Sequence, residues 1–379
     1  MKRWIVIFGI VVLAVVLGVA AVSYGGTAAD PLISESYLEG TYQPELMSRI
    51  EGQIDTALED VYESVLAQAG DLRPTSEDER DDAYYSDVFR DLRFKKGDEI
   101  SGSLGAGFLL LAGSAQFRFD SGAVIDVSQG EEAASGAALL TDHRYMVAED
   151  TRATVLITSD TAVLSVNGYY STTLSSETDY NALADALKEL GLFRGSDTPY
   201  GSGYALEEQP TRIQGLVMFL RLLGEEEAAL ACTEENPFVD TDPWCEPYLA
   251  YAYAKGYTNG TDLSRGIFSP SEPITAAQYL TFLLRALGYS DDGSEEADFT
   301  WDQALTAAFR FGVLTSEERK MLDSTTFTRA QMVYVSWFGL QARCKGTSGT
   351  TAMQQLIDSG AVTADAVARV QNSLNVSRL

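Results

Sequence analysis

The sequence predicts a multidomain α + β protein, with a small all-β domain in its middle and an all-α array in its C-terminal half. Between residues 93 and 175, short stretches alternate apolar and polar residues at the two-residue period of strands, and turn signals separate them. From residue 179 onward, apolar residues recur at helical spacing, and three helix starts have the same capping residues. A chain of 379 residues is long enough for two or three domains with their own cores.

The N-terminal hydrophobic segment, residues 1–23, combines Lys2 and Arg3 with an uncharged apolar run from Trp4 to Val22. Such a segment directs export, and its positive charges place the rest of the chain outside the cell membrane. The small residues at 21–23 favour cleavage as a signal peptide. The length of the run, close to the roughly 20 residues that span a bilayer, favours a retained membrane anchor. Both alternatives stay open.

Three segments connect this start to the β domain. Residues 24–43 are predicted to form a polar tether. Within 44–70, apolar residues step by threes and fours between acidic ones, which predicts an amphipathic helix that ends at Gly70. Its polar face is acidic where membrane-surface helices are basic, so we expect it to pack on a neighbouring domain or on its own copy. Residues 71–92 are predicted to form an acidic linker.

Two hairpins are predicted within the all-β domain at 93–175. The alternating stretch 116–120 turns at Ser121-Gly122 and returns along 123–127. The stretch 154–158 turns at Ser159-Asp160 and returns along 162–166. Because a short turn between two apolar stretches is typical of a hairpin, we expect the two strands of each pair to lie side by side.

The all-α half contains an internal repeat. Each unit has a helix that ends at a glycine, and then a capping box, in which a threonine and a glutamine three residues later satisfy each other's backbone N–H groups. The boxes are Thr211 with Gln214, Thr275 with Gln278, and Thr328 with Gln331. The units span 179–230, 236–290 and 297–346, and two short helices in 350–379 are expected to cap the array.

The central unit has a distinctive order of motifs. Phe-x-Asp at Phe238 is followed by Trp-x-x-x-Tyr, Lys-Gly-Tyr-x-Asn-Gly, Phe-x-Pro, Ile-Thr-x-x-Gln and Leu-Leu-Arg-Ala-Leu-Gly-Tyr. This order resembles the S-layer homology (SLH) repeat, a bacterial cell-surface module that usually occurs in threes. The outer units match mainly at the glycine stop and the capping box. The resemblance covers 180–345 and implies a three-helix prism whose grooves hold an anionic secondary cell-wall polysaccharide.

The resemblance also implies which residues contact the polymer. In the family, the arginine directly after the capping threonine reaches into the groove, and here that position holds Arg212 and Arg329. A guanidinium suits a carboxylate such as a pyruvate ketal, because two parallel N–H bonds match two oxygens. The central unit has Ala276 at this position, so its groove lacks the arginine. Further groove contacts are expected at Asp240, Trp244, Asn259, Gly260, Thr261, Gly195 and Ser196.

These residues also have structural alternatives. Trp244 could belong to the core, Asn259-Gly260 could be only a turn, and each arginine could form a surface salt bridge. Cys232 and Cys245 are close enough in sequence to form a disulfide in an exported protein, but free buried thiols are an equal alternative.

The charge balance excludes several classes of partner. Lys and Arg total 27 against 55 Asp and Glu, a net charge of -28 that repels nucleic acid and anionic lipid. Membrane contact is therefore expected only through the N-terminal segment. The single histidine, His143, has no nucleophile motif near it, so we expect no enzyme and no catalytic residues. With three cysteines, a metal site is not expected, nor is any cofactor.

The function expected from the sequence is non-enzymatic binding of an anionic cell-wall polysaccharide, which would position the β domain at the extracellular face of the cell envelope. Self-association through the amphipathic helix would be compatible with this function. The alternative is a membrane-anchored scaffold whose degenerate SLH repeats no longer bind polymer and contact other proteins instead.

Overall fold

A computed structural model of the protein describes residues 46–50, 84–149, 151–196 and 198–379. The architecture is α + β, as the sequence predicts. The strands are β1 Tyr84–Lys95, β2 Glu99–Gly102, β3 Gly107–Ala112, β4 Ala115–Arg118, β5 Ala123–Asp126, β6 Glu131–Ala133, β7 Arg144–Ala148, β8 Ala153–Ile157 and β9 Thr161–Thr173. The helices are α1 Tyr180–Glu189, α2 Arg212–Leu222, α3 Glu226–Leu230, α4 Glu246–Ala254, α5 Ala276–Ala286, α6 Ala304–Arg310, α7 Ser316–Ser324, α8 Arg329–Leu340, α9 Ala352–Asp358 and α10 Ala364–Ser373.

The strands form one curled antiparallel sheet in the order β4-β8-β2-β9-β3-β7-β5-β6, and β1 pairs along β9. The curl brings distant strands together around one core. The ring of Phe117 on β4 lies 6.3 Å from that of Phe108 on β3 and 5.1 Å from that of Tyr145 on β7, measured between centroids. These rings are buried, so the concave face of the sheet encloses the apolar core of the β domain.

Both predicted hairpins are wrong in their pairing, although their strands and turns exist. β4 pairs with β8, whereas β5 pairs with β6 and β7. In the strand order, β8 lies near one end of the sheet, and β6 and β7 lie near the other. The turn at Ser121-Gly122 therefore connects two strands from distant parts of the sheet. In the second case β2 pairs with both β8 and β9 and separates them. A turn signal shows where the chain reverses, but the partner of a strand depends on contacts distant in sequence.

Helices α2, α5 and α8 begin with the three predicted capping boxes, which are confirmed. The three helices pack against one another. Two glycines, one on α2 and one on α8, allow neighbouring side chains to come close to the helix backbone. A Cβ on Gly215 of α2 would lie 2.7 Å from a methyl of Ile274, and one on Gly339 of α8 would lie 2.7 Å from a methyl of Leu283. Side chains there would force the helices apart.

Backbone hydrogen bonds connect the start of each outer helix to a loop of another unit. The N–H of Arg212 donates to the carbonyl of Glu272 at 2.8 Å, just before α5. The N–H of Arg329 donates to the carbonyl of Glu208 at 2.8 Å, just before α2. These bonds satisfy N–H groups that a helix start leaves without an intrahelical partner. They also fix the backbone positions from which the side chains of Arg212 and Arg329 extend.

Several elements differ from expectation. The first helix of the central unit, α4, begins at Glu246 instead of directly after Asp242, because Asp242–Cys245 forms a turn and Pro247 occupies the first turn of the helix. Helix α7 was not predicted, although Thr315 and Glu318 form a fourth capping box. β1 begins at Tyr84, inside the stretch predicted as linker, because it pairs with β9.

Some predictions lie partly or wholly outside the described residues. Of the amphipathic helix expected at 44–70, residues 46–50 are described and are helical. The segment at 1–23, the tether at 24–43 and most of the linker fall outside. Among the residues that the structure does describe, no helix has the length and apolar character needed to cross a membrane.

A salt bridge connects the sheet to the helices. Arg93 on β1 donates to both carboxylate oxygens of Asp185 on α1, at 3.0 and 2.8 Å, and the hydroxyl of Tyr204 donates to the same carboxylate at 2.6 Å. Burial alone would raise the pKa of Asp185, but the hydrogen bonds from Arg93 and Tyr204 outweigh it and hold this pKa below its ordinary value of 3.8. The ionised carboxylate therefore stabilises the junction.

This pKa shift predicts a pH-dependent contribution to stability. A carboxyl with a depressed folded pKa stabilises fully above its unfolded pKa, and the contribution is lost as the pH falls through the folded pKa. We expect Asp185→Asn to lower the free energy of unfolding by about 0.5–1 kcal/mol at neutral pH, since the pair is half-exposed. Urea unfolding over a pH series should show this deficit shrinking in acid. Exposed Asp120→Asn is the control, and a deficit independent of pH would contradict the prediction.

Candidate ligand-binding grooves

Two grooves open between the helical units. Groove A has a volume of about 480 Å³ and is lined by Phe193, Arg194, Gly195, Ser196, Gln214, Val217, Met218, Arg221, Trp244, Arg329 and Met332. Groove B has a volume of about 400 Å³ and is lined by Arg212, Thr258, Asn259, Gly260, Thr261, Gln278, Thr281, Phe282, Arg285, Asp291 and Trp301.

The two grooves are built from matching parts. Each contains the arginine after a capping threonine from one unit, together with the capping glutamine of another helix. Each also contains an arginine seven residues after that glutamine, a glycine turn and a tryptophan. In groove A these are Arg329, Gln214, Arg221, the turn at Gly195 and Trp244; in groove B they are Arg212, Gln278, Arg285, the turn at Gly260 and Trp301.

Arg329 is almost completely buried in the wall of groove A, with 2% of its surface exposed. Its Nε donates to the carbonyl of Tyr204 at 2.9 Å, and its guanidinium lies over the ring of Phe193, 5.5 Å from the centroid. It forms no salt bridge with any described residue. Burial disfavours the charge and lowers the pKa of Arg329 to about 10. An anion entering groove A would therefore meet a cation that the protein has already desolvated but not neutralised.

Arg212 occupies the matching position in groove B and is half-buried. Its guanidinium lies 5.9 Å from the ring centroid of Phe268, and its Nε is buried without a hydrogen-bond partner. Burial lowers the pKa of Arg212 as well. Within the described part of the chain it has no ion-pair partner. Both arginines predicted from sequence thus line grooves, and the salt-bridge alternative does not apply to either in this structure.

The second arginine of each groove is paired. Arg221 in groove A donates to Glu226 at 2.7 Å, and Arg194 reaches the same carboxylate at 3.1 Å. Arg285 in groove B donates to both oxygens of Asp291, at 2.7 and 2.8 Å. None of these three arginines was predicted from the sequence as a groove residue. The recurrence of Leu-Arg-x-Leu-Gly, with Arg221 and Arg285 at the same place after the capping glutamine, could have indicated two of them.

A tryptophan is exposed at each groove. Trp244 is 57% exposed in groove A, and its ring meets that of Tyr248 edge-on at 6.5 Å. Trp301, which sequence reasoning did not select, is 60% exposed in groove B. Trp244 therefore does not belong to the core, and both indoles offer an open face beside cationic side chains.

A glycine turn lines each groove, at Gly195 in groove A and at Gly260 in groove B. Gly195 and Gly260 have φ of 84° and 70°, and a Cβ on either would lie 2.4 Å from a carbonyl oxygen, that of Gly203 or Ile267. The residue after each glycine, Ser196 or Thr261, donates its N–H to the same carbonyl, at 2.7 and 2.9 Å. Only glycine fits these positions without strain.

Asp240 is not among the residues that line either groove. Its carboxylate accepts hydrogen bonds from the N–H groups of Phe268 and Ser269, at 2.9 and 2.8 Å. It therefore holds the Phe-x-Pro loop, from which the ring of Phe268 supports Arg212.

Ala276 lines a smaller cavity of about 300 Å³, and no arginine is among the residues that line it. In α8, Phe338 occupies the place of Arg221 and Arg285, seven residues after the capping glutamine, and the guanidinium of Arg378 covers its ring at 5.4 Å. Arg378 is paired in turn with Glu318 on α7. Ala276 itself is buried.

The three cysteines are free thiols in the structure, so the Cys232–Cys245 disulfide is not formed. The Sγ of Cys245 is buried and donates to the carbonyl of Asp242 at 3.1 Å. Burial raises the pKa of Cys245, which keeps it a thiol.

Comparison with known proteins gives a partial match. No family model matches the chain. One similar protein is a cell surface protein of Thermoanaerobacter kivui, 29% identical over 123 residues. The match covers 32% of this chain and only 16% of the relative. The fold is that of an α + β protein with paired grooves in its helical part, and the similarity points to a protein of the cell surface.

Proposed function

We propose that the chain is a non-enzymatic cell-envelope protein that binds an anionic cell-wall polysaccharide through grooves A and B. In this proposal the units built on α2, α5 and α8 are SLH repeats, and they position the β domain at the cell surface. The observation that supports it most is Arg329, a buried cation at the wall of a groove that has no carboxylate partner among the described residues.

Electrostatics give this observation its weight. A buried charge without a partner destabilises a fold, so most buried arginines are paired. This chain has 55 acidic side chains with which to pair its arginines, yet Arg329 and Arg212 have no ion-pair partner among the described residues. An anionic ligand would supply the missing charge, and a guanidinium fork suits the two oxygens of a carboxylate.

The tryptophans favour a sugar as the bearer of that anion. An exposed indole has a large apolar face, and the C–H face of a sugar ring can stack on it, while hydroxyls and amides at the groove wall can bond to ring substituents. Trp244 and Trp301 each lie in a groove that also has an arginine after a capping threonine. The similarity to a cell surface protein supports a location at which such polymers occur.

A second candidate function is a protein-interaction scaffold with degenerate repeats. The central unit favours it, because the cavity beside Ala276 has no arginine in its lining. Grooves A and B, however, remain open and cationic, so we place the scaffold second.

The proposal is tested by a pull-down of the full chain in mild detergent with purified peptidoglycan, before and after chemical removal of the attached polymer. We expect binding that disappears with the polymer. The control variant Arg265→Ala, which removes an exposed arginine outside both grooves, should bind like the wild type. Absence of binding to either preparation would contradict the proposal and favour the scaffold.

A further inference from the structure

Grooves A and B differ in charge at one matched position. The residue before the glycine turn is Arg194 in groove A and Asn259 in groove B, and both line their grooves. The match rests on the turns that follow, since Gly195 and Gly260 share a left-handed φ and the same contact with a carbonyl oxygen. Arg194 and Asn259 therefore enter their grooves from equivalent points of the backbone.

Each of the other charged groups of groove A has a counterpart of the same charge in groove B. Groove A has Arg329, and Arg221 is paired with Glu226; groove B has Arg212, and Arg285 is paired with Asp291. One acidic residue acts on each unpaired arginine from outside, Glu208 on Arg329 and Glu272 on Arg212. With these pairs matched, Arg194 gives groove A one positive charge more than groove B.

The carboxylate of Glu226 in groove A neutralises only one of the two arginines that contact it. Arg194 and Arg221 both contact Glu226, so one carboxylate serves two guanidinium groups. Arg194 lines the groove and is 64% exposed, so a ligand can reach its guanidinium. Arg221 also has a buried Nε without a partner, and it is close enough to Arg329 for their charges to repel each other. A group with two negative charges would relieve this repulsion.

We propose that groove A prefers a dianionic group such as a phosphomonoester on a sugar, that groove B prefers a monoanionic carboxylate, and that Arg194 and Asn259 set this difference. The inference rests on the proposed function and adds the class of anion that each groove selects. A phosphomonoester has a second pKa of about 6, so it is a dianion in mildly alkaline solution. Its three oxygens match several guanidinium donors, whereas a carboxylate has two.

The tryptophans allow each groove to be observed separately. The full chain in mild detergent is labelled with [15N]tryptophan, and the indole signals of Trp244 and Trp301 are assigned with the variants Trp244→Phe and Trp301→Phe. Glucose 6-phosphate and glucuronate are titrated at about pH 8, where the phosphate is a dianion, at equal ionic strength. We expect the ratio of Kd for glucuronate to Kd for glucose 6-phosphate to be about fivefold higher at Trp244 than at Trp301, the size of an exposed charge pair.

The reciprocal variants Arg194→Asn and Asn259→Arg provide the decisive test. Both sites lie on the exposed surface, so the fold should tolerate the changes. We expect Arg194→Asn to lower the phosphate preference at Trp244 about fivefold, and Asn259→Arg to raise it at Trp301 by a similar factor. Arg265→Ala is the matched control for loss of a charge outside the grooves and should change neither ratio.

Three outcomes separate the inference from the proposed function. Equal ratios in both grooves, with no effect of the reciprocal variants, would overturn the inference and leave anion binding in place. Absence of any shift of either indole with either probe would overturn both. A phosphate preference at Trp244 that persists in Arg194→Asn would show that another residue sets it and would overturn the role assigned to Arg194.

Discussion

Replacing Glu318 by alanine is expected to lower the free energy of unfolding by about 3–5 kcal/mol, the range for breaking a buried ion pair. Glu318 is completely buried, and each of its carboxylate oxygens accepts two hydrogen bonds. Oε1 accepts from Nε of Arg378 at 2.7 Å and from the hydroxyl of Tyr334 at 2.9 Å. Oε2 accepts from Nη2 of Arg378 at 2.8 Å and from the N–H of Thr315 at 2.7 Å.

The loss would come from the groups left behind. Without the carboxylate, the hydroxyl of Tyr334 and the N–H of Thr315 lose their acceptor, and the capping box of α7 is broken. Arg378 is about a third exposed and can recover part of its hydration, which places the expected value toward the lower end of the range. Urea unfolding monitored by circular dichroism measures the change.

Glu317→Ala is the matched control, because the neighbouring Glu317 is 62% exposed and forms a surface salt bridge with Lys320. We expect it to change stability by less than about 0.5 kcal/mol. A loss below about 1 kcal/mol in Glu318→Ala would mean that the ion pair with Arg378 does not hold this part of the fold.

The surroundings of Phe338 show what the sequence could not predict. The absence of an arginine at Ala276 is visible in the sequence. The ring of Phe338, in contrast, is covered by Arg378, which pairs with Glu318 60 positions away, and no local pattern indicates that contact. Phe338 in place of an arginine is the one local signal, and it gains meaning only once α2, α5 and α8 are aligned.

Local and non-local features differ in the same way elsewhere. The capping boxes were predictable because both partners lie within four residues and the chemistry is complete in the sequence. The pairing of the hairpins was predicted wrongly because the partner of a strand depends on the burial of its side chains. The ring of Phe117 on β4, for example, packs against rings from β3 and β7. Of the site, the motif indicated Arg212, Arg329 and the turns. Arg194 directly precedes one of those turns, but its pairing with Glu226, 32 residues away, is not indicated by any local pattern.

If the chain binds the anionic polymer proposed above, replacing Arg329 by glutamine is expected to weaken that binding about 100-fold at groove A, since hydrogen bonds to charged groups contribute about 1.5–3 kcal/mol. The same change should alter the free energy of unfolding by less than about 1 kcal/mol, because it also removes a desolvated charge without a carboxylate partner. Arg212→Gln is the comparison in groove B, where the less buried arginine should give a smaller loss of affinity.

This combination separates a binding residue from a structural one. If Arg329 held the fold together through Tyr204 and Phe193, its removal would destabilise the protein by at least about 2 kcal/mol, in the range for other buried polar networks. Binding of solubilised polymer by calorimetry, together with urea unfolding of the same variant, distinguishes the two cases. Unchanged affinity combined with a large loss of stability would assign Arg329 to the fold and leave groove A without the cation on which the proposed function depends.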